Sequence, residues 1–152
     1  MKNQLIALLV LLSSTAFAQN LSGKYGVGLA LGEPSGFSVK KFNSGTEAYQ
    51  FTLGYNMAGT HTGVNLGGDV LFHNYNFFSA DNGSIPYYYG AGVHVSLYEA
   101  TQVYARVPLG IAYEFNELPA DVFLEFSPGI AVVPTPGIVF NFALGARYYF
   151  TL

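Results

Sequence analysis

The sequence has no cysteine and no tryptophan, and only 10% of its 152 residues are charged. Without cysteine, disulfides, thiolate metal sites and a lipoprotein anchor are not expected. An average soluble domain carries about 25% charged residues, so this composition disfavours a soluble enzyme. Six basic residues stand against nine acidic ones, and the chain therefore has no basic surface of the kind that binds nucleic acid.

Long apolar runs are also scarce, and the one near the start has the features of a secretory signal peptide. Lys2 precedes the apolar run Leu5 to Leu12, and Ala16-Phe17-Ala18 matches the small-x-small cleavage pattern. We therefore predict a signal peptide at 1–18, with Ala16 and Ala18 as the cleavage signal, and one domain at 19–152. No later run reaches the roughly 18 apolar residues that a membrane-spanning helix needs.

The remaining chain is dominated by alternation of apolar residues with small or polar ones. This period of two is typical of β-strands whose two faces meet different surroundings. It recurs in eight stretches, at 25–32, 36–42, 49–56, 64–73, 87–97, 103–115, 121–132 and 138–152. Turn residues such as Asp81-Asn82-Gly83 lie between them. The second stretch, 36–42, is the least regular.

The two faces of these strands differ in residue size. In the last stretch one face carries Phe140, Phe142 and Leu144, whereas the other carries Asn141, Gly145 and Arg147. A soluble barrel would place Lys and Glu on its outer face, but here the second face is rich in Gly, Ala, Ser and Asn. Small residues suit the interior of a narrow barrel, and large apolar residues suit lipid. The pattern predicts an all-β fold, an eight-stranded antiparallel transmembrane β-barrel of the smallest outer-membrane size.

An even number of strands places both ends of the barrel on one side, which we expect to be the periplasmic side. The outer connections would then be short. They are predicted near 33–36, 56–62, 98–102 and 134–137, with the periplasmic ones near 43–47, 76–86 and 116–120. Tyrosine and phenylalanine near the strand ends are expected to form the aromatic girdles: Tyr25, Tyr55, Tyr87, Tyr113, Phe115, Tyr148 and Phe150.

Charged residues on the small-residue face are the candidates for chemistry. Arg106, Glu114, Glu125 and Arg147 are predicted to point inward, where isolated charges are costly unless paired. We expect a luminal ion-pair network, with Glu125–Arg147 and Arg106–Glu125 as the pairs. Further inward candidates are Asp69, Asp121, His73 and His94. The alternative is a narrow solute channel, although eight strands leave an interior that side chains can fill.

His94 and Ser96 lie two apart on one predicted strand, and this pair resembles that of lipid A deacylases, which are also eight-stranded barrels. In those enzymes the histidine activates the serine at the lipid-facing surface. Here Val93, Val95 and Leu97 occupy that face, so the pair is expected to point inward. A lipid A esterase is a weaker alternative, and we predict no enzyme, no cofactor and no metal site.

Finally, the last strand resembles the C-terminal insertion signal of bacterial outer-membrane proteins, with Gly145, Tyr148 and Phe150 at the signal positions. Together with the stretches 28–36, 106–110 and 123–129, it resembles a family of small eight-stranded outer-membrane barrels of unknown function from spirochaetes and Bacteroidetes-like bacteria. The resemblance implies the outer membrane of a Gram-negative-type bacterium, with outer-membrane lipid and the barrel-assembly machinery as partners.

The expected role is structural or surface-interactive, with a protein partner on either side of the membrane left open and no nucleic acid. A soluble periplasmic lipid-binding barrel, which would turn its apolar face inward, is the remaining alternative.

Overall fold

The computed structural model describes residues 21–57 and 62–152. The predicted signal peptide, including Ala16 and Ala18, lies outside the described residues. The strands of the described part are β1 (Tyr25–Glu33), β2 (Ser35–Phe42), β3 (Glu47–Asn56), β4 (Gly63–Asn74), β5 (Ser79–Ala80), β6 (Gly83–Ser84), β7 (Tyr87–Leu97), β8 (Gln102–Arg106), β9 (Leu109–Phe115), β10 (Ala120–Val133) and β11 (Gly137–Phe150). This part contains no helix, and so none long and apolar enough to cross a membrane.

These strands form a closed antiparallel barrel of eight wall strands, as predicted. Each wall strand pairs with its sequence neighbours, and β1 closes the wall against β11 in a register that runs from Tyr25↔Phe150 to Glu33↔Phe142. Closure leaves no free sheet edge around the wall. The stretch 36–42, whose alternation is weakest, is β2, with Ser38 and Lys40 buried on the inner face.

The stretch 103–115, predicted as one strand, is divided into β8 and β9. Both halves pair with β7 on one side and β10 on the other, so together they form the sixth wall strand. The break falls at Val107 and Pro108, because proline has no N–H to donate to the ladder. Hydrogen bonds from Val107 N to Pro128 O (2.8 Å) and from Gly90 N to Pro108 O (3.0 Å) keep the wall connected there.

The small hairpin of β5 and β6 lies in the predicted long connection at 76–86. β6 pairs with the end of β9, through Gly83↔Phe115 and Ser84↔Glu114, and so extends the wall beyond the start of β7. The barrel has two ends. We call the end where β1 begins and β11 ends the terminal rim, and the opposite end the distal rim. The hairpin lies at the terminal rim.

The exterior is apolar, and the interior is mainly polar with two small apolar clusters, one around Leu71 and Phe123 and one around Phe42 and Tyr149. Ile138, Phe140 and Leu144 on β11 expose 76%, 64% and 53% of their surface, whereas Arg147 on the other face of the same strand exposes 2%. Alternate strand residues point to opposite faces of a sheet, so one register decides the environment of every side chain. The large apolar face is thus the outer one, in agreement with the alternation.

Candidate functional site

The candidate site is the packed lumen, where polar and charged side chains from every wall region meet. Seven charged side chains are buried there, three cationic and four acidic: Lys40, Arg106, Arg147, Asp69, Glu114, Asp121 and Glu125. All four residues of the predicted network are among them. Because buried charge is costly without partners, the hydrogen bonds of each one determine what the lumen can do.

Arg106, at the end of β8, joins two carboxylates. Its Nε and Nη2 donate to the two oxygens of Asp69 at 2.9 and 2.6 Å, and its Nη2 lies 3.2 Å from Glu125 Oε1. The predicted neighbours Arg106 and Glu125 are therefore brought together. The Asp69 bond, which the sequence did not indicate, is the shorter one and is bidentate, the geometry that suits guanidinium best.

A glycine makes the Arg106–Asp69 bond possible. Asp69 on β4 lies opposite Gly92 on β7, and Gly92 lies opposite Arg106. The two charged side chains thus meet over Gly92, and a Cβ at that position would come within 1.9 Å of Asp69 Oδ1 and 2.5 Å of the Gly68 carbonyl oxygen. Only glycine, which has no side chain, leaves room on β7 for the side chains of Asp69 and Arg106 to meet above it.

Arg147 has a different carboxylate partner from the one predicted. Its Nε donates to Asp121 Oδ1 at 3.2 Å, whereas the expected pair with Glu125 is not among the ion pairs of the described residues. The reason is register: Arg147 lies opposite Asp121, and Glu125 is four residues further along β10, opposite Ala143. Four residues of a strand span about 13 Å, beyond direct contact.

Gln50 on β3 bridges the two halves of the network. It accepts a hydrogen bond from Arg147 Nη1 at 2.7 Å and donates through Nε2 to Glu125 Oε2 at 3.2 Å. Glu125 also accepts from Tyr88 and Ser127, at 2.9 and 3.1 Å. A continuous chain of contacts results along the lumen: Asp121, Arg147, Gln50, Glu125, Arg106, Asp69 and His94.

Glu114 lies apart from this chain, near the terminal rim. Its Oε1 accepts a hydrogen bond from Tyr75 Oη at 3.0 Å. Tyr75 follows β4 in the connection, and burial together with the Glu114 carboxylate raises the pKa of its phenol. The phenol therefore remains a donor, and Glu114 is held by a neutral partner rather than by one of the arginines.

Lys40 is a luminal residue that the sequence argument missed. It is fully buried, its Nζ lies 3.1 Å from His73 Nε2, and it sits 4.7 Å from the centre of the Tyr88 ring. A signal for it was present in Lys40-Lys41: adjacent strand residues face opposite sides, so one of the two lysines had to point inward. Because the alternation of this stretch is irregular, the sequence did not indicate whether Lys40 or Lys41 faces inward.

His94 and Ser96 do point inward, as expected, and expose 0% and 1% of their surface. His94 Nδ1 lies 3.0 Å from Asn65 Oδ1 and its Nε2 lies 3.2 Å from Asp69 Oδ1. Ser96 Oγ instead accepts from Asn65 Nδ2 at 2.7 Å. Asn65 thus lies between histidine and serine, and the direct base–nucleophile hydrogen bond that activates a serine is not formed in the described residues.

Little free space remains beside the network. A cavity of about 20 Å³ borders Gln50, Arg106, Glu125, Ser127 and Asn141, enough for one water molecule. Among the described residues no three His, Asp or Glu side chains are grouped to hold a metal ion. The lumen is therefore arranged as a packed polar core, and its geometry favours neither a solute path nor an enclosed apolar ligand.

The residues of the predicted insertion signal lie on β11 close to the terminal rim. Phe150 stacks on Tyr25 at 6.4 Å between ring centres, across the strand pair that closes the barrel. Gly145 faces the lumen, where a Cβ would lie 2.5 Å from the Phe123 ring. Tyr148 is half-buried on the outer face.

Comparison with protein-family models, with curated proteins and with solved structures finds no match for this chain. The resemblance to small outer-membrane barrels thus remains a prediction from the quoted motifs.

Proposed function

We propose that the protein is an integral outer-membrane β-barrel whose role is structural or interactive, with a lumen closed by its polar network. The observation that carries this proposal is the inverted distribution of polarity. Among the described residues seven charged side chains are buried, while 33 large apolar side chains are exposed. Water-soluble proteins almost never bury Lys, Arg, Asp and Glu in such numbers, and they rarely expose large contiguous apolar surfaces.

The outer face has the form of an apolar band. At mid-height Leu31, Leu144 and Leu124 stand side by side on three adjacent strands, exposing 69%, 53% and 42%. Charged residues on the outer face of the described strands lie only near strand ends, at Glu33, Lys41 and Glu47. A band free of charge between two polar rims matches the hydrocarbon layer of a bilayer.

Aromatic side chains gather near the terminal rim. Contacts between ring centres there include Tyr25–Phe150 at 6.4 Å, Phe72–Tyr89 at 5.9 Å and Tyr113–Phe115 at 4.9 Å. Aromatic rings at this level are typical of the membrane–water interface, where one end of the ring is apolar and the other is wet. The lumen, by contrast, is packed and carries charged side chains. This disfavours a carrier of apolar ligands, which would need an apolar interior.

A charge placed on the band tests the proposal. Leu144→Arg should lower the free energy of unfolding from vesicles by about 2–4 kcal/mol, the cost of an arginine at the bilayer midplane of a barrel. Ile138→Arg, nearer the distal rim, is the matched control and should cost about 0–1 kcal/mol. In a soluble barrel both exposed positions would tolerate the change within about 0.5 kcal/mol.

Membrane fractionation and gel mobility give an independent answer. The protein should pellet with the outer membrane, and its unboiled and boiled forms should migrate differently. A protein found in the osmotic-shock fraction, with equal cost for the two arginine variants, would contradict the proposal.

A further inference from the structure

Basic residues are distributed very unevenly over this barrel. Beyond residue 18 the sequence has five, of which Lys40, Arg106 and Arg147 are buried in the lumen. The other two, Lys24 and Lys41, lie at the terminal rim. The connections of the distal rim contain no lysine or arginine at all but do contain the exposed Glu99. Lysine is therefore available to a membrane headgroup at the terminal rim, which also carries Glu47, Asp81 and Glu117, but not at the distal rim.

Lys41 is part of an ordered row on the outer face. Tyr25 on β1 lies opposite Phe150 on one side and opposite Lys41 on the other, and Lys41 in turn lies opposite Tyr49 on β3. Lys41 Nζ is 5.2 Å from the centre of the Tyr25 ring. Directly opposed side chains on neighbouring strands are about 5 Å apart, so an ammonium group is flanked by two tyrosines.

Lys24 is fixed beside this row by backbone hydrogen bonds. Its carbonyl accepts from Phe42 N at 3.0 Å, and its own N–H donates to Leu21 O at 2.9 Å. Its side chain is half-buried, whereas that of Lys41 is exposed. Both lysines thus stand on ordered backbone at the same rim, but Lys41 lies on the outer face with Tyr25, whereas Lys24 lies opposite the inward-facing Phe42.

Neither lysine is neutralised by a carboxylate within the described residues, where the ion pairs all belong to the lumen. Glu47 belongs to the same sector, but its carboxylate takes a contact from Asn43 Nδ2 at 3.5 Å and is not among the ion pairs of the described residues. The other acidic residues of this rim, Asp81 and Glu117, belong to the β5–β6 hairpin and to the β9–β10 connection, on the far side of the barrel.

We propose that Lys41, with the flanking Tyr25 and Tyr49, forms a binding site for the phosphate headgroup of an anionic phospholipid, and that the terminal rim therefore faces the phospholipid leaflet. Unpaired ammonium groups near a membrane surface attract anionic lipid, and phenol hydroxyls can donate further hydrogen bonds to a phosphate. Lysine stems lie along apolar surface while their charged ends reach the headgroup level. This inference rests on the proposed membrane function.

Competition between two lipids tests the site. The folded protein in detergent is mixed with equimolar phosphatidylglycerol and phosphatidylcholine of the same acyl chains, and bound lipid is counted by native mass spectrometry. The wild type should retain phosphatidylglycerol in preference. A lysine near a membrane surface contributes about fivefold in lipid association, so Lys41→Gln should lower the binding ratio by about that factor, whereas Lys24→Gln should lower it less.

Two controls separate this site from general lipid adhesion. Lys41→Arg keeps the charge and should keep the preference. Glu99→Gln changes the charge of the distal rim by one unit, in the opposite direction to Lys41→Gln, and should leave the ratio unchanged. Equal binding of the two lipids by the wild type, or a Lys41→Gln variant that keeps the full preference for phosphatidylglycerol, would overturn the inference.

Insertion into pure phosphatidylcholine vesicles distinguishes the two proposals. If the barrel inserts and shows the boiled–unboiled mobility shift but has no lipid preference, only the proposed headgroup site is refuted. If the protein does not insert into any vesicle, the proposed membrane function is refuted as well.

Discussion

Replacing Arg106 by methionine should be among the most damaging single changes in this barrel. The substitution keeps much of the side-chain volume but removes three contacts, two to Asp69 at 2.9 and 2.6 Å and one to Glu125 at 3.2 Å. Asp69 then keeps His94, and Glu125 keeps Gln50, Tyr88 and Ser127. Two buried carboxylates are left without their shared cation.

The expected cost follows from burial. Removing one partner of a buried ion pair typically destabilises a protein by about 3–5 kcal/mol, because the remaining charge stays desolvated. Arg106 exposes 5% of its surface and Asp69 4%, so screening by water is small. With a urea slope of about 2 kcal/mol per molar, a loss of about 4 kcal/mol moves the unfolding midpoint by about 2 M.

The assay is equilibrium unfolding in urea, followed by circular dichroism and by gel mobility of unboiled samples. Asp69→Asn in the Arg106→Met background is the informative second variant. It removes the carboxylate charge that the arginine had balanced, so part of the lost stability should return. Glu99→Gln, at an exposed position, is the control and should stay within about 0.5 kcal/mol of the wild type. A midpoint shift below about 0.5 M for Arg106→Met would refute the network as a source of stability.

Two further predictions concern the packing of the lumen. Gly92→Ala places a Cβ 1.9 Å from Asp69 Oδ1 and 2.5 Å from a backbone oxygen, and should cost about 1–3 kcal/mol, as overpacking usually does. Gly45→Ala, where a Cβ meets nothing within 4 Å, should be nearly neutral in the same urea titration, and equal losses would contradict the close approach at Gly92. In planar bilayers the wild type should give no single-channel steps, since the cavity beside the network holds about one water; regular conductance steps would show that the lumen is open.

The part of this fold that could be predicted from the sequence is the part that follows from the two-residue period of a β-strand. Alternation at period two was sufficient to locate all eight wall strands, and to assign Arg106, Glu114, Glu125 and Arg147 to the interior. This works because neighbouring strand residues face opposite sides, whatever lies across the barrel. Alternation was insufficient at β2, where Lys40 and Lys41 are adjacent and of the same type, and it did not detect the break at Pro108.

The partners within the lumen were decided by the tertiary structure alone. Arg106 and Asp69 are 37 positions apart and meet over Gly92, and Arg147 and Gln50, 97 apart, meet across the interior. Whether two inward residues are in contact depends on the stagger between strands and on the width of the barrel, and neither can be predicted from a local sequence pattern. The sequence by itself thus determined which residues face inward, and only the register between β10 and β11 decided that Arg147 would pair with Asp121 instead of Glu125, because register sets the height of each side chain.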